Sequence, residues 1–235
     1  MNASKESIQR HLAAVNNERA IRVADKALGE RTTGVKRFQQ ARFERTYADL
    51  LAQPRYAAAA RFFLDELYGP ADFSRRDAQF ARIVPALVRL FPAEISDTVE
   101  TLMALHALSE RLDTEMARHV SVVPLDAAHY IQAWQRTGQP EQRAQQIDLM
   151  LAVGRALDLF TRRPWLRHSL RVMRTPARAA GMRALQSFLE SGFDTFFKMQ
   201  GAAEFLAQIE ARERAFASNM FRTAASDHCA LGQLP

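Results

Sequence analysis

Residues 62–77, FFLDELYGPADFSRRD, decide how the chain is read. Gly69 and Pro70 stand in the middle, with an amphipathic run before them and a charged one after. Upstream, Tyr56, Ala60, Phe63 and Leu67 recur at i, i+4, i+7 and i+11, the period of a helix with one apolar side. Phe62 points the other way, so this helix is expected to lie sandwiched between neighbours. Gly69 supplies a left-handed cap and Pro70 blocks continuation. Ser74 followed by Asp77 is a variant capping box that opens the next helix, with Phe73 as its hydrophobic staple. The stretch therefore predicts a helix–turn–helix junction. The functional alternative places Tyr68 and Arg75 or Arg76 along a cleft at the turn.

The same logic extends in both directions. Helices are expected over 4–28, ending near Gly29, over 35–52, and from Pro54 to Tyr68. Others follow over 75–91, with a kink at Pro85, over 94–120, and from Pro124 to Trp134. After a break at Gly138–Pro140 come helices over 141–162, from Pro164, from Pro176, and over 202–224. No stretch alternates apolar and polar residues, so no significant sheet is expected. The fold expectation is an all-α single-domain bundle of about nine or ten helices over 1–235. Residues 1–33 form its peripheral N-terminal helix and 225–235 a loose tail.

Composition agrees with that class. Of 235 residues, 48% are hydrophobic and 25% charged, enough for a core and too apolar for a disordered chain. No apolar run reaches the roughly 18 residues of a membrane span. The start, MNASKESIQRH, has no signal-peptide core. The single cysteine, Cys229, cannot close an internal disulfide. These features point to a cytoplasmic protein.

The run Phe62-Phe63-Leu64, Leu67-Tyr68-Gly69-Pro70, Asp72-Phe73, Arg76-Asp77 resembles the hallmark of a family of uncharacterised bacterial all-helical proteins. The segments LHALSERLD (105–113) and FLESGFDTFFKM (188–199) are similar to later blocks of that family. The resemblance covers most of the chain from about residue 40. It implies one continuous domain and carries no activity.

Familiar catalytic signatures are missing: no G-x-G-x-x-G, P-loop, G-x-S-x-G, C-x-x-C or H-E-x-x-H occurs. His106 and Glu110 are i, i+4 on the long central helix, with Asp113 on the same side. Glu115 and His119 form a second such pair. A straight helix separates His106 from His119 by about 20 Å, so they cannot share an ion. A di-metal carboxylate bundle needs two [DE]-x-x-H pairs, and only Asp126-x-x-His129 is present. No metal site and no cofactor is therefore expected. A lone haem ligand would be His106 or His168, and no pattern selects either. Glu213 falls on the apolar side of the last helix and Arg178 on that of its own. A buried carboxylate needs a cation, so a structural Arg–Glu pair is expected there.

The charge is unevenly placed. The formal net charge is +6, yet residues 159–189 alone hold seven Arg and no acid. On the helix from Pro164, Arg167, Arg171 and Arg174 cluster on one side, preceded by Arg162 and Arg163. Trp165, Leu166, Leu170, Val172 and Met173 take the opposite side. This stretch, 162–178, reads as an anion-binding face for an acidic protein, anionic lipid or phosphate ligand, or as a solvated surface. No complete helix-turn-helix motif is present, which argues against sequence-specific DNA. The functional expectation is a binding protein using that face. The alternative is a helical enzyme or carrier with a buried cofactor or metal site around His106, Glu110 and Tyr68.

Overall fold

The helices expected from apolar periodicity have counterparts in a computed structural model of the chain, except the one expected to open at Pro176. The structure describes residues 3–66, 73–224 and 234–235. Among these are twelve helices and no strand: α1 (Ala3–Ala24), α2 (Lys26–Thr46), α3 (Ala48–Ala52), α4 (Ala57–Glu66), α5 (Ser74–Leu90) and α6 (Ala93–Arg118) in the first half. The second half holds α7 (Ala127–Thr137), α8 (Pro140–Thr161), α9 (Pro164–Val172), α10 (Arg174–Ala179), α11 (Arg183–Met199) and α12 (Ala203–Arg222). The chain is all-α. None of the described helices is long and apolar enough to cross a membrane.

Twelve exceeds the expected nine or ten for local reasons. Tyr47 leaves helical geometry and separates α2 from α3. Gly181, at φ 73°, separates α10 from α11. Pro176 does not open a helix. It lies inside α10, and the break falls earlier, at Met173. Proline has no N–H for the Val172 carbonyl and its ring crowds that oxygen, so α9 stops there. Pro85, by contrast, is contained within α5.

The first break also moves. The helix ends at Ala24 rather than near Gly29, and Asp25 caps α2 by accepting a 3.0 Å bond from the Leu28 N–H. Gly29 serves close approach instead: a Cβ there would lie 2.9 Å from the Arg22 carbonyl oxygen.

α1 is not peripheral. Ile8 and Leu12 are buried with Phe80, Val84, Met103 and Leu185 from α5, α6 and α11, and Val15 is buried too. A second core joins α2 and α3 to α4, α8, α11 and α12 around Phe43, Tyr47, Phe63, Phe196 and Phe205. A third packs α2, α6, α7 and α12 around Tyr130, Trp134 and Phe216. At the C-terminus, Leu234 is buried and Arg45 Nη1 donates to its carbonyl at 2.6 Å. The expected loose tail is thus anchored at that end. Cys229 and the rest of 225–233 lie outside the described residues.

α4 ends at Glu66 and α5 begins at Ser74, with Phe73 rather than Ser74 in the capping position. Leu67, Tyr68, Gly69, Pro70 and Asp72 lie outside the described residues.

Candidate functional site

The inward stripe of α1 changes character along its length. Ile8, Leu12 and Val15 are apolar, but the next two positions on that side, at i+11 and i+14, are Arg19 and Arg22. Their guanidinium groups meet carboxylates from α5 and α6. Arg19 Nη2 donates to Asp77 Oδ2 at 2.7 Å. Arg22 Nη2 donates to Glu110 Oε2 at 2.5 Å, and Lys36 Nζ from α2 donates to the other oxygen at 2.6 Å. A third carboxyl, on Asp113, accepts from Gln39 Nε2 at 3.0 Å. His106, Glu110 and Asp113 stand on one side of α6, as their spacing predicted.

His106 Nε2 lies 2.8 Å from Asp77 Oδ2. Burial would push the Asp77 carboxyl up, but the hydrogen bonds and charge of His106 and Arg19 outweigh it, and the group is lowered overall. An ionised carboxylate only accepts, so Nε2 donates. In the neutral ring the lone pair is then on Nδ1.

Glu110 behaves similarly. Burial opposes its charge, but Lys36 and Arg22 dominate and hold it at about 2. At Asp113 burial wins, although Lys36 opposes it, and the carboxyl is pushed up. The two acids are less than one helical turn apart, yet they are driven in opposite directions because Glu110 has two cations and Asp113 has an amide.

Asp77, His106, Glu110 and Asp113 form one wall of a cavity of about 110 Å³ between α5, α6 and α11, with Lys36, Gln39, Gln146 and Met150 contributed by α2 and α8. Arg19 and Arg22 pair with its carboxylates without lining it. Phe80, Leu102, Met103, Leu185, Phe188 and Leu189 make the apolar wall. At one edge the Arg76 guanidinium is held between the Phe73 and Phe188 rings, 4.1 and 4.3 Å from their centres. It also donates to Glu66 Oε2 at 3.1 Å.

Of the three expected pocket residues, His106 and Glu110 line this cavity. Tyr68 lies outside the described residues. Arg19, Arg22, Lys36 and Asp77 were not anticipated as site residues. The available signal was two arginines continuing the apolar stripe of α1, and an Asp in the first turn of α5 that a capping role explained equally well.

The expected basic face is mostly neutralised. Arg162 pairs with Asp158 at 2.7 Å, Arg163 with Glu94 at 2.8 Å, Arg167 with Asp194 at 3.1 Å and Arg174 with Glu190 at 2.5 Å. Only Arg171 of the five has no ion pair among the described residues. The acids come from α6, α8 and α11, which a reading of residues 159–189 alone could not include. The supposed core side of α9 is also different: Leu166 is buried, while Trp165, Val172 and Met173 are exposed.

Asp126 caps α7, accepting from the His129 N–H at 2.8 Å, and the pair is exposed. His168 is exposed as well. Among the described residues no group of three His, Cys, Asp or Glu side chains is placed to hold a metal ion. The cation for Glu213 is Arg42, not Arg178, which is exposed. Arg42 reaches both carboxylate oxygens, at 2.5 and 3.2 Å, and the Tyr47 hydroxyl donates to one of them at 2.7 Å.

No curated protein and no solved structure matches the chain. A family model does, over residues 18–227, a span that includes Arg19, Arg22 and every side chain named in the cavity. The chain therefore belongs to the family described as Domain of unknown function (DUF8198).

Proposed function

We propose that the cavity is the working site and that it takes a small amphiphilic anion. The carrying observation is a cavity with one apolar wall and one wall of buried, charge-paired side chains. Buried ion pairs contribute less to stability than apolar packing of the same volume. Asp77, Glu110, Asp113, Arg19, Arg22 and Lys36 together are thus a costly way to build an ordinary core. Ionisable groups shifted by burial and by specific partners in a cleft are characteristic of working sites.

The charge balance favours an anionic head. Lys36 and Arg76 at the cavity, together with Arg19 and Arg22 paired to its carboxylates from outside the lining, supply four cations against Glu66, Asp77 and Glu110, with Asp113 pushed toward its neutral form. An incoming carboxylate finds Lys36, Arg76 and the His106 ring at the cavity, and its hydrocarbon part finds Leu102, Phe80 and Phe188. An apolar cavity of roughly 150 Å³ takes benzene, so the enclosed part suits a fragment of about six heavy atoms. The pairing of most of the α9 arginines is what moves the primary reading from the basic face to the cavity.

The test is thermal unfolding of the full chain with butanoate, butylamine or butanol, which match the size of the enclosed part. A ligand present at 100 times its Kd adds about 2.7 kcal/mol, which is roughly 5–10 °C for a chain of this size. The expected result is a rise with butanoate alone, lost in Leu102→Trp, which fills the cavity, and reduced in Lys36→Met. Equal behaviour of the three compounds, or an undiminished rise in Leu102→Trp, refutes the reading.

A further inference from the structure

α9 and α10 expose apolar side chains beside unpaired cations, which a solvated basic surface does not require. Leu166 is the buried residue of α9, with Leu170 half-buried on the same side, and Ala177 is the buried residue of α10. Trp165 and Val172, seven residues apart, share a neighbouring side about 100° round the axis, and both are exposed, at 45% and 59%. Met173 is exposed next to them at 49%. Among the described residues nine large hydrophobics are exposed, and five fall between Leu159 and Phe197. The apolar exposure is therefore concentrated in the region that also holds the excess positive charge.

The ion pairs divide the arginines into two sets. Arg167 and Arg174 hold α9 and α10 to Asp194 and Glu190 of α11. Arg171 of α9 and Arg178 of α10 are exposed and form no ion pair among the described residues. Glu190 lies near enough to feel the Arg178 charge, but it is bonded to Arg174.

We propose that α9–α10 is a docking surface for an anionic lipid bilayer, with Trp165, Val172 and Met173 entering the headgroup boundary and Arg171 and Arg178 meeting lipid phosphates. Short amphipathic helices with a Trp-bearing apolar side and an Arg-bearing polar side lie in the plane of the interface in this way. Tryptophan favours that boundary because it has an apolar body and one polar N–H. Arg forms paired bonds to phosphate. An acidic protein would satisfy the arginines and leave the exposed apolar side unexplained. This surface is independent of the cavity reading, since it lies on the side of α11 that carries Glu190 and Asp194, and the cavity uses Leu185, Phe188 and Leu189.

The experiment is co-sedimentation of the full chain with phosphatidylcholine vesicles, with and without phosphatidylglycerol, while Trp165 emission is followed. Trp134 is buried and supplies a constant background. Binding is expected only with phosphatidylglycerol, with a blue shift of Trp165, and is expected to weaken as salt shortens the screening length below about 8 Å. Each Arg near an anionic surface contributes about fivefold in partitioning, so Arg171→Gln/Arg178→Gln should lose about 25-fold. Trp165→Gln should weaken binding and remove the shift. Both variants alter exposed side chains, and far-ultraviolet circular dichroism confirms that they fold. Leu102→Trp should sediment as the wild type does, which separates this proposal from the cavity. Sedimentation without a Trp165 shift, retention of affinity in the double Arg variant, or preference for polyglutamate or RNA over vesicles overturns it.

Discussion

Glu110→Gln isolates the charge at the centre of the polar wall. The substitution keeps shape and one acceptor oxygen but removes the negative charge that Arg22 and Lys36 share at 2.5 and 2.6 Å. In the folded protein the carboxyl is held at about 2, against an ordinary value of 4.5. That difference is worth roughly 3 kcal/mol at neutral pH. Because the folded value is lowered, this stability is fully present above about pH 4.5 and is lost as pH falls toward 2. At pH 3 about 1.4 kcal/mol should remain. Urea unfolding of both proteins at pH 7 and pH 3 is the assay. With a slope of about 2–3 kcal/mol per molar, the variant midpoint should fall by roughly 1–1.5 M at pH 7 and by about half as much at pH 3. A gap that is the same at both pH values would mean that charge pairing is not what holds Glu110. A gap under about 0.5 kcal/mol at pH 7 would mean that the cations are solvated and the wall is not a buried network.

Asp113→Asn should act in the opposite direction, since burial raises the Asp113 carboxyl and Asn still accepts the Gln39 bond. Stability should be unchanged or about 1 kcal/mol higher at pH 7, with the advantage shrinking as pH falls and the wild-type acid becomes neutral. Arg42→Met leaves Glu213 buried without its cation and should cost about 3–5 kcal/mol. Arg42→Met/Glu213→Met should recover much of that loss, measured by the same urea titration. Asp25→Ala removes the cap of α2 and should cost about 1 kcal/mol, read as a lower thermal midpoint with little change in helical circular dichroism.

Helix type and most helix limits were legible because they depend on neighbours three or four residues away. Gly138 and Pro140 between α7 and α8, and Gly201 before α12, do their work locally, and the structure places breaks where those residues stand. The side of α6 that carries His106, Glu110 and Asp113 follows from a 100° step alone. The need of Glu213 for an Arg was legible too, because a carboxylate on an apolar stripe cannot stay unpaired.

What the sequence could not supply is which charge meets which. Arg42 is 171 residues from Glu213 and Arg22 is 88 from Glu110. No periodicity links them, because ion pairing depends on where packed helices cross and not on spacing along the chain. The same limit governed α9. Its arginines were visible as a single-sign run, but the acids that neutralise Arg162, Arg163, Arg167 and Arg174 come from α6, α8 and α11. Which of its two apolar sides became core depended on how little of α9 its neighbours cover. Sequence determined the helices and their stripes. Tertiary packing alone decided that an apolar wall and a chain of buried ion pairs would face each other across a cavity, because burial and Coulomb energy both depend on distances that exist only after the helices have assembled.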